Sequence, residues 1–166
     1  NHPIEVMSIL SEAGVTDPDV LMGAVLHDTV EDTDTTYEEI TALFGEKVTL
    51  IVRECSDDKN LGKIERKKHQ IEHSRVISDE GKLVKLADKL SNCRGMVTDA
   101  PASWGPERRI GYAYWSYAVC AQMFGLNIYL DEQLKATFIE LGLPPVINDL
   151  EQRLQAYYLS LAGKND

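Results

Sequence analysis

Apolar residues recur along this chain at gaps of three and four. Val6, Ile9, Leu10 and Ala13 form one such series, and Val20, Leu21, Ala24 and Val25 the next. That spacing lays apolar side chains along one stripe of an α-helix. Alternating β-branched runs with hairpin turns are absent. Pro3 suits the first turn of a helix that stops at Gly14, because its missing N–H would have no partner there. Asp17 and Pro18 cap and start a second helix, expected to run to about Asp32. Thr35 and Thr36, followed by Glu38 and Glu39, offer two registers of a capping box for a third helix that closes at Phe44 and Gly45. Residues 45–56 put Val48, Ile51, Val52 and Cys55 on one stripe, a fourth helix.

The segment 63–76, KIERKKHQIEHSRV, reads as a basic helix with few apolar positions, which places it largely at the surface. Residues 80–97 carry Leu83, Leu86, Ala87 and Leu90 and so read as a buried helix, followed by a Pro- and Gly-containing loop over 99–106. Segments 108–124, 128–141 and 146–161 supply three more helices, broken at Gly125 and over 142–145. With no repeat, low-complexity tract or linker, the pattern predicts an all-α, compact helical bundle in a single domain over 1–166.

A chain of 166 residues can bury a core without disulfides or a structural metal, so a bound metal would serve function. Cys55, Cys93 and Cys120 are odd in number and lack a CxxC pair, which points to a reducing compartment and to thiols used as apolar filling. No apolar run approaches the roughly 20 residues that span a bilayer, and no signal segment opens the chain. A cytoplasmic protein without membrane association is expected. The net charge of −10 argues against nucleic acid as a partner, since that binding rests on Lys and Arg releasing counterions. The charge is uneven, however. Between Lys59 and Arg94 ten basic residues stand against five acids, which fits a local anion site and equally a solvated helix face. The chain opens on Asn1 rather than Met, so an upstream segment is expected.

His27 and Asp28 fall near the end of an apolar helix, where a polar pair beside Leu26 is costly to bury without a compensating partner. A metal ion would compensate them. Glu31 follows one turn after His27 and Asp32 one turn after Asp28, giving two polar rows side by side. Asp88, on the apolar stripe of Leu83, Leu86 and Ala87, meets the same argument and stands one turn before Asn92. By itself Asp88 also fits an ion pair with Lys85 or Lys89. Imidazole and carboxylate donors suit Mn²⁺, Fe²⁺ or Zn²⁺ better than Ca²⁺. His69 and His73, a turn apart on the basic helix, lack a nearby carboxylate cluster and read as surface residues. The order His2, then His27-Asp28, then Asp88, on three separate helices, is more specific than any of its parts.

The stretches NHPIEVMSIL, LMGAVLHDTVEDTDTTYEEITALFG, CSDDKNLGKIERKKHQ and KLVKLADKLSNCR resemble the hydrolase domain of the RelA/SpoT family. In length and spacing they are most similar to its small, hydrolase-only members, the metazoan SpoT homologues and bacterial small alarmone hydrolases. The resemblance implies an HD-type helical bundle with one Mn²⁺ at His2, His27, Asp28 and Asp88. It implies hydrolysis of the 3′-pyrophosphate of ppGpp and pppGpp, with GDP or GTP and pyrophosphate as products. The family's acidic pair falls on Glu31 and Asp32, and its Asn on Asn92. Some metazoan-type members also remove the 2′-phosphate of NADPH, so NADPH, an adenine alarmone, or silent nucleotide binding stand as alternatives. A carboxylate one turn from a ligand can orient or deprotonate water, with Glu31 first and Asp32 assisting. Lys59, Lys63 and Arg66 share a helical spacing and form a candidate phosphate clamp, while Asn92 can donate to a phosphate or ribose oxygen. Tyr112 matches a position that lines the nucleotide site and on pattern alone equally fits the core. Ser91 stands where the family usually has an aromatic or His, and Cys93 where it usually has Leu or Met, so contacts near Asn92 are expected to differ. The helix that precedes His-Pro in relatives is missing from this sequence, and no synthetase domain follows, so alarmone synthesis is not expected. Oligomeric state is not legible.

Overall fold

The computed structural model describes residues 1–163 and folds them into ten helices. These are α1 (His2–Glu12), α2 (Pro18–Leu26), α3 (Thr29–Asp32), α4 (Tyr37–Phe44), α5 (Glu46–Cys55), α6 (Lys63–Ser74), α7 (Asp79–Asp99), α8 (Pro106–Ala121), α9 (Ile128–Glu140) and α10 (Leu150–Leu161). Among the described residues there is no strand, and no helix is long and apolar enough to cross a membrane. The start signals act as the sequence indicates. The side chains of Asp17, Thr36, Ser78 and Asn127 accept from first-turn N–H groups of α2, α4, α7 and α9, satisfying donors that a helix leaves orphaned.

The longest helix, α7, is the axis of the fold. It packs against α1, α2, α5, α8 and α9, while α10 closes on α8. One core cluster runs through these helices, with Leu10, Leu86, Leu90, Leu130 and Leu134 fully buried. A smaller one, Ile40, Val48 and Val52, sits under α4 and α5. Two close helix approaches depend on glycine. A Cβ on Gly23 would strike Ile51, and one on Gly111 would strike the ring of buried Tyr157.

Several boundaries differ from expectation. The helix expected to run unbroken to Asp32 stops at Leu26, and α3 begins only after His27 and Asp28. The cause is local: His27 Nδ1 donates to the Ala24 carbonyl at 2.5 Å, competing for the acceptor that a continuing helix would give to the Asp28 N–H. At the other end, α10 starts at Leu150, leaving 146–149 outside it. The basic helix α6 is less superficial than its composition suggests. Ile64 and Ile71, two turns apart, pack on the core, and Trp115 Nε1 of α8 donates to the Lys67 carbonyl at 2.9 Å. Cys93 and Cys120 are buried, Cys55 is partly so, and all three are free thiols. Residues 164–166 of the expected domain lie outside the described residues.

Candidate metal centre and active site

The break after α2 sets His27 against His2 of α1 and Asp88 of α7. The His27 side chain is only 2% exposed. With Nδ1 donating to the Ala24 carbonyl, the other nitrogen, Nε2, faces two carboxylates: Asp28 Oδ2 at 3.1 Å and Asp88 Oδ1 at 3.2 Å. Asp88 comes from the middle of α7, and its Oδ1 also meets His2 Nε2 at 2.7 Å. His2 Nδ1 is in turn 2.9 Å from Ser91 Oγ. The two imidazoles meet edge to face, 5.3 Å between centroids. One ligand atom each of His2, His27 and Asp88 lies within 4.8 Å of the others.

Burial pushes the His27 imidazole toward its neutral form, but the hydrogen bonds to Asp28 and Asp88 outweigh it and raise the pKa to about 10. Burial likewise opposes charge on Asp88, yet the bonds from His2 and His27 hold it well below the usual carboxylate range. The cluster thus favours a positive charge at its centre. Two Nε2 atoms whose ring partners are already engaged, with carboxylate oxygen and no thiolate, are the donor set of a hydrated divalent cation. The residues present fit such an ion.

Glu31, on α3, lies beside this cluster. Its Oε1 accepts the backbone N–H of Asp57, in the loop after α5, and among the described residues its second oxygen makes no hydrogen bond. Burial, and after it the negative charges of Asp57, Asp28 and Asp32, raise its pKa against the pull of that hydrogen bond. Asp57 itself accepts from Gln70 Nε2 at 2.8 Å. Asp32 is exposed at the end of α3. Asn92 Nδ2 is 3.4 Å from Asp88 Oδ1.

The expected cations are less uniform than their spacing implied. Lys59 is exposed in the loop between α5 and α6, and Lys63, the first residue of α6, is half-buried. Arg66 is partly spent on that loop, with Nε on the Leu61 carbonyl at 2.8 Å and a terminal nitrogen on the Lys59 carbonyl at 3.1 Å. It braces the segment that carries Lys59. Tyr112 is in an aromatic row, 5.6 Å from Trp104 and 5.7 Å from Trp115, and burial raises its phenol.

The sequence presented Lys85 and Lys89 only as ion-pair partners for Asp88. Lys85 and Lys89 of α7 are 5% and 4% exposed, and among the described residues neither ion-pairs with Asp88, whose Oδ1 is taken by the histidines. Lys89 Nζ and Lys67 Nζ approach the Trp115 ring at 4.1 and 3.8 Å, the geometry of a cation–π contact. Burial, and among its neighbours the Lys89 ammonium, lower the pKa of Lys85. They stand four apart in KLVKLADKL, on the same side of α7 as Asp88 and Asn92. His69 and His73 stack on each other at 5.0 Å and do not join the metal-type cluster.

Residues 1–112 match the HD domain family. The Danio rerio guanosine-3′,5′-bis(diphosphate) 3′-pyrophosphohydrolase MESH1 is 46% identical over 144 residues, 86% of this chain and 80% of that protein. The Homo sapiens MESH1 is 48% identical with the same coverage. A solved structure, of a metazoan ortholog of SpoT that hydrolyzes ppGpp and plays a role in starvation responses, matches with a TM-score of 0.83 at 47% identity, covering 87% of this chain and 82% of that one. A Listeria monocytogenes EGD-e structure matches at 0.68 with 33% identity, over 84% and 99% of the two chains. This helical chain, with its His and Asp cluster between α1, α2 and α7, belongs to the HD-domain family and, within it, to the group of hydrolases that includes the animal MESH1 proteins.

Proposed function

We propose that this protein hydrolyses the 3′-pyrophosphate of guanosine-3′,5′-bis(diphosphate), and of pppGpp, with Mn²⁺ bound by His2, His27, Asp28 and Asp88. The observation that carries the reading is the convergence of two imidazole Nε2 atoms on Asp88 Oδ1, with Asp28 at the same His27 nitrogen and Glu31 alongside. A divalent ion held by these residues would supply polarisation of a phosphoryl oxygen and a lowered pKa for water. Glu31 takes the proton from the attacking water. Burial raises its pKa and so makes it a stronger base than an exposed carboxylate, and its anchor on the Asp57 N–H fixes its direction. The water oxygen bonds to the phosphorus next to the ribose, the bond from that phosphorus to the 3′ oxygen breaks, and the 3′ oxygen is reprotonated, leaving GDP and pyrophosphate. Asn92 donates to a ribose or phosphate oxygen, and Asp32 keeps local charge negative near the base. Lys59 and Lys63 contact the phosphate chain from the α6 side, Arg66 holds their loop, and Tyr112 borders the nucleotide.

A substrate panel tests this directly. Pyrophosphate release from ppGpp and pppGpp with Mn²⁺, abolished by chelator, is expected to exceed turnover of the adenine analogue and of NADPH at equal concentration. No pyrophosphate from ppGpp would refute the assignment, and a strong preference for NADPH would move it to 2′-phosphate removal.

A further inference from the structure

The two imidazoles of the centre are held in different ways. His27 is buried, and its Nδ1 faces a backbone carbonyl, which can only accept. Its proton therefore stays on Nδ1 and Nε2 is fixed as the outward nitrogen. His2 has no such guarantee. It lies in the first turn of α1, 30% exposed, after an N-cap residue, Asn1, that makes no side-chain cap bond. Its hydrogen bonds both go to α7: Nε2 to Asp88 at 2.7 Å and Nδ1 to Ser91 Oγ at 2.9 Å. Asp88 and Ser91 are three apart on that helix and so share a face. Ser91 is 6% exposed. A serine on a helix can return its hydroxyl to the carbonyl four residues back, as Ser56 does to Val52 at 2.8 Å and Ser74 to Gln70 at 2.6 Å. The Ser91 hydroxyl goes instead across the helix interface to His2.

We infer that Ser91 is the positioning residue of His2, its hydroxyl accepting the Nδ1 proton so that Nε2 is presented to the cation. This rests on the reading of His2 as a metal ligand. A hydroxyl is suited to the task in a way the carbonyl behind His27 is not, because it both donates and accepts. With a cation at Nε2 the same oxygen would accept the Nδ1 proton, whichever tautomer His2 holds without it.

The test is Mn²⁺ titration calorimetry on metal-stripped protein for wild type, Ser91→Ala, Ser91→Thr, His2→Ala and the His2→Ala/Ser91→Ala pair, with thermal melts of each metal-free form. Ser91→Ala should weaken Mn²⁺ binding by about 10- to 100-fold, the usual cost of removing a ligand's outer partner, with its metal-free melt close to wild type. Ser91→Thr, which keeps the hydroxyl, should stay within about threefold. On the His2→Ala background, removing Ser91 should change nothing further, since coupled residues are not additive. Ser91→Ala binding Mn²⁺ as wild type does, or an additional loss on the His2→Ala background, would overturn the inference. Wild-type protein that binds no Mn²⁺ would overturn the reading of the centre itself.

Discussion

Replacing Glu31 by glutamine removes a proton acceptor and little else. The amide oxygen can still accept the Asp57 N–H that Glu31 Oε1 now takes, so the loop after α5 keeps its anchor, less the charge on that bond. The lost charge assistance costs on the order of 1 kcal/mol. It is offset because a half-buried carboxylate held above its ordinary pKa is costly to ionise: the folded state binds that proton more tightly than the unfolded one, so ionised Glu31 opposes folding at neutral pH. The expected melting temperature of Glu31→Gln is therefore equal to or above that of wild type. Catalysis should move the other way. General-base assistance is worth about 10²–10⁴ in rate, or roughly 3–5 kcal/mol of barrier. Single-turnover pyrophosphate release from ppGpp, followed against pH, would show both the drop and its origin. Wild-type rates should fall as pH descends through the raised pKa of Glu31, and the variant should lack that acidic limb. A variant within tenfold of wild type, or one that keeps the limb, would refute Glu31 as the base.

Metal uptake should carry a proton signature. With the His27 pKa raised to about 10, the metal-free protein holds a proton at that ring at pH 7, so Mn²⁺ binding should release about one proton, seen as a buffer-dependent calorimetric heat; no buffer dependence would contradict it. Because that pKa is raised, its contribution to metal-free stability is complete below about 6.5 and is lost as pH rises toward 10. Melts of metal-free protein should fall over that range while those of loaded protein change less. Gly111→Ala, ordinarily favourable in a helix, should cost about 1–3 kcal/mol in urea unfolding because the new methyl meets the Tyr157 ring; a variant as stable as wild type would show that α10 yields. Lys85→Met should raise the melting temperature, since a buried lysine with no ion pair among the described residues is replaced by an apolar chain of similar length. A melting temperature below that of wild type would refute this.

The apolar spacing was enough to find nearly every helix, because most of them bury one continuous stripe against α7 or α8. It was blind at residues 27–28, where a side-chain atom rather than a propensity ends the helix. The HD pair and Asp88 were legible for the same reason they are unusual: each is a polar group set in apolar surroundings. What brings His2 to them is tertiary, a contact between residues 86 apart, and nothing in the first turn of α1 announces it beyond the family pattern. Arg66 illustrates the opposite limit. Its spacing matched a clamp, but two of its nitrogens are engaged by the loop it was expected to accompany. Ser91 stood out only as a departure from the family, and its partner became evident with the fold.

The contact between His2 and Asp88 has a consequence for the chain as a polymer. The C-terminal end of α1 is tied to α9 by Tyr129 on Glu12 and Asn127 on the Ala13 carbonyl, while its N-terminal end is fastened through His2. An ion shared by these residues would act as a reversible cross-link closing a loop of 86 residues, and a covalent closure of such a loop is worth on the order of 4 kcal/mol in chain entropy. Metal supply would then govern how long the first turn of α1 resists proteases and amide exchange.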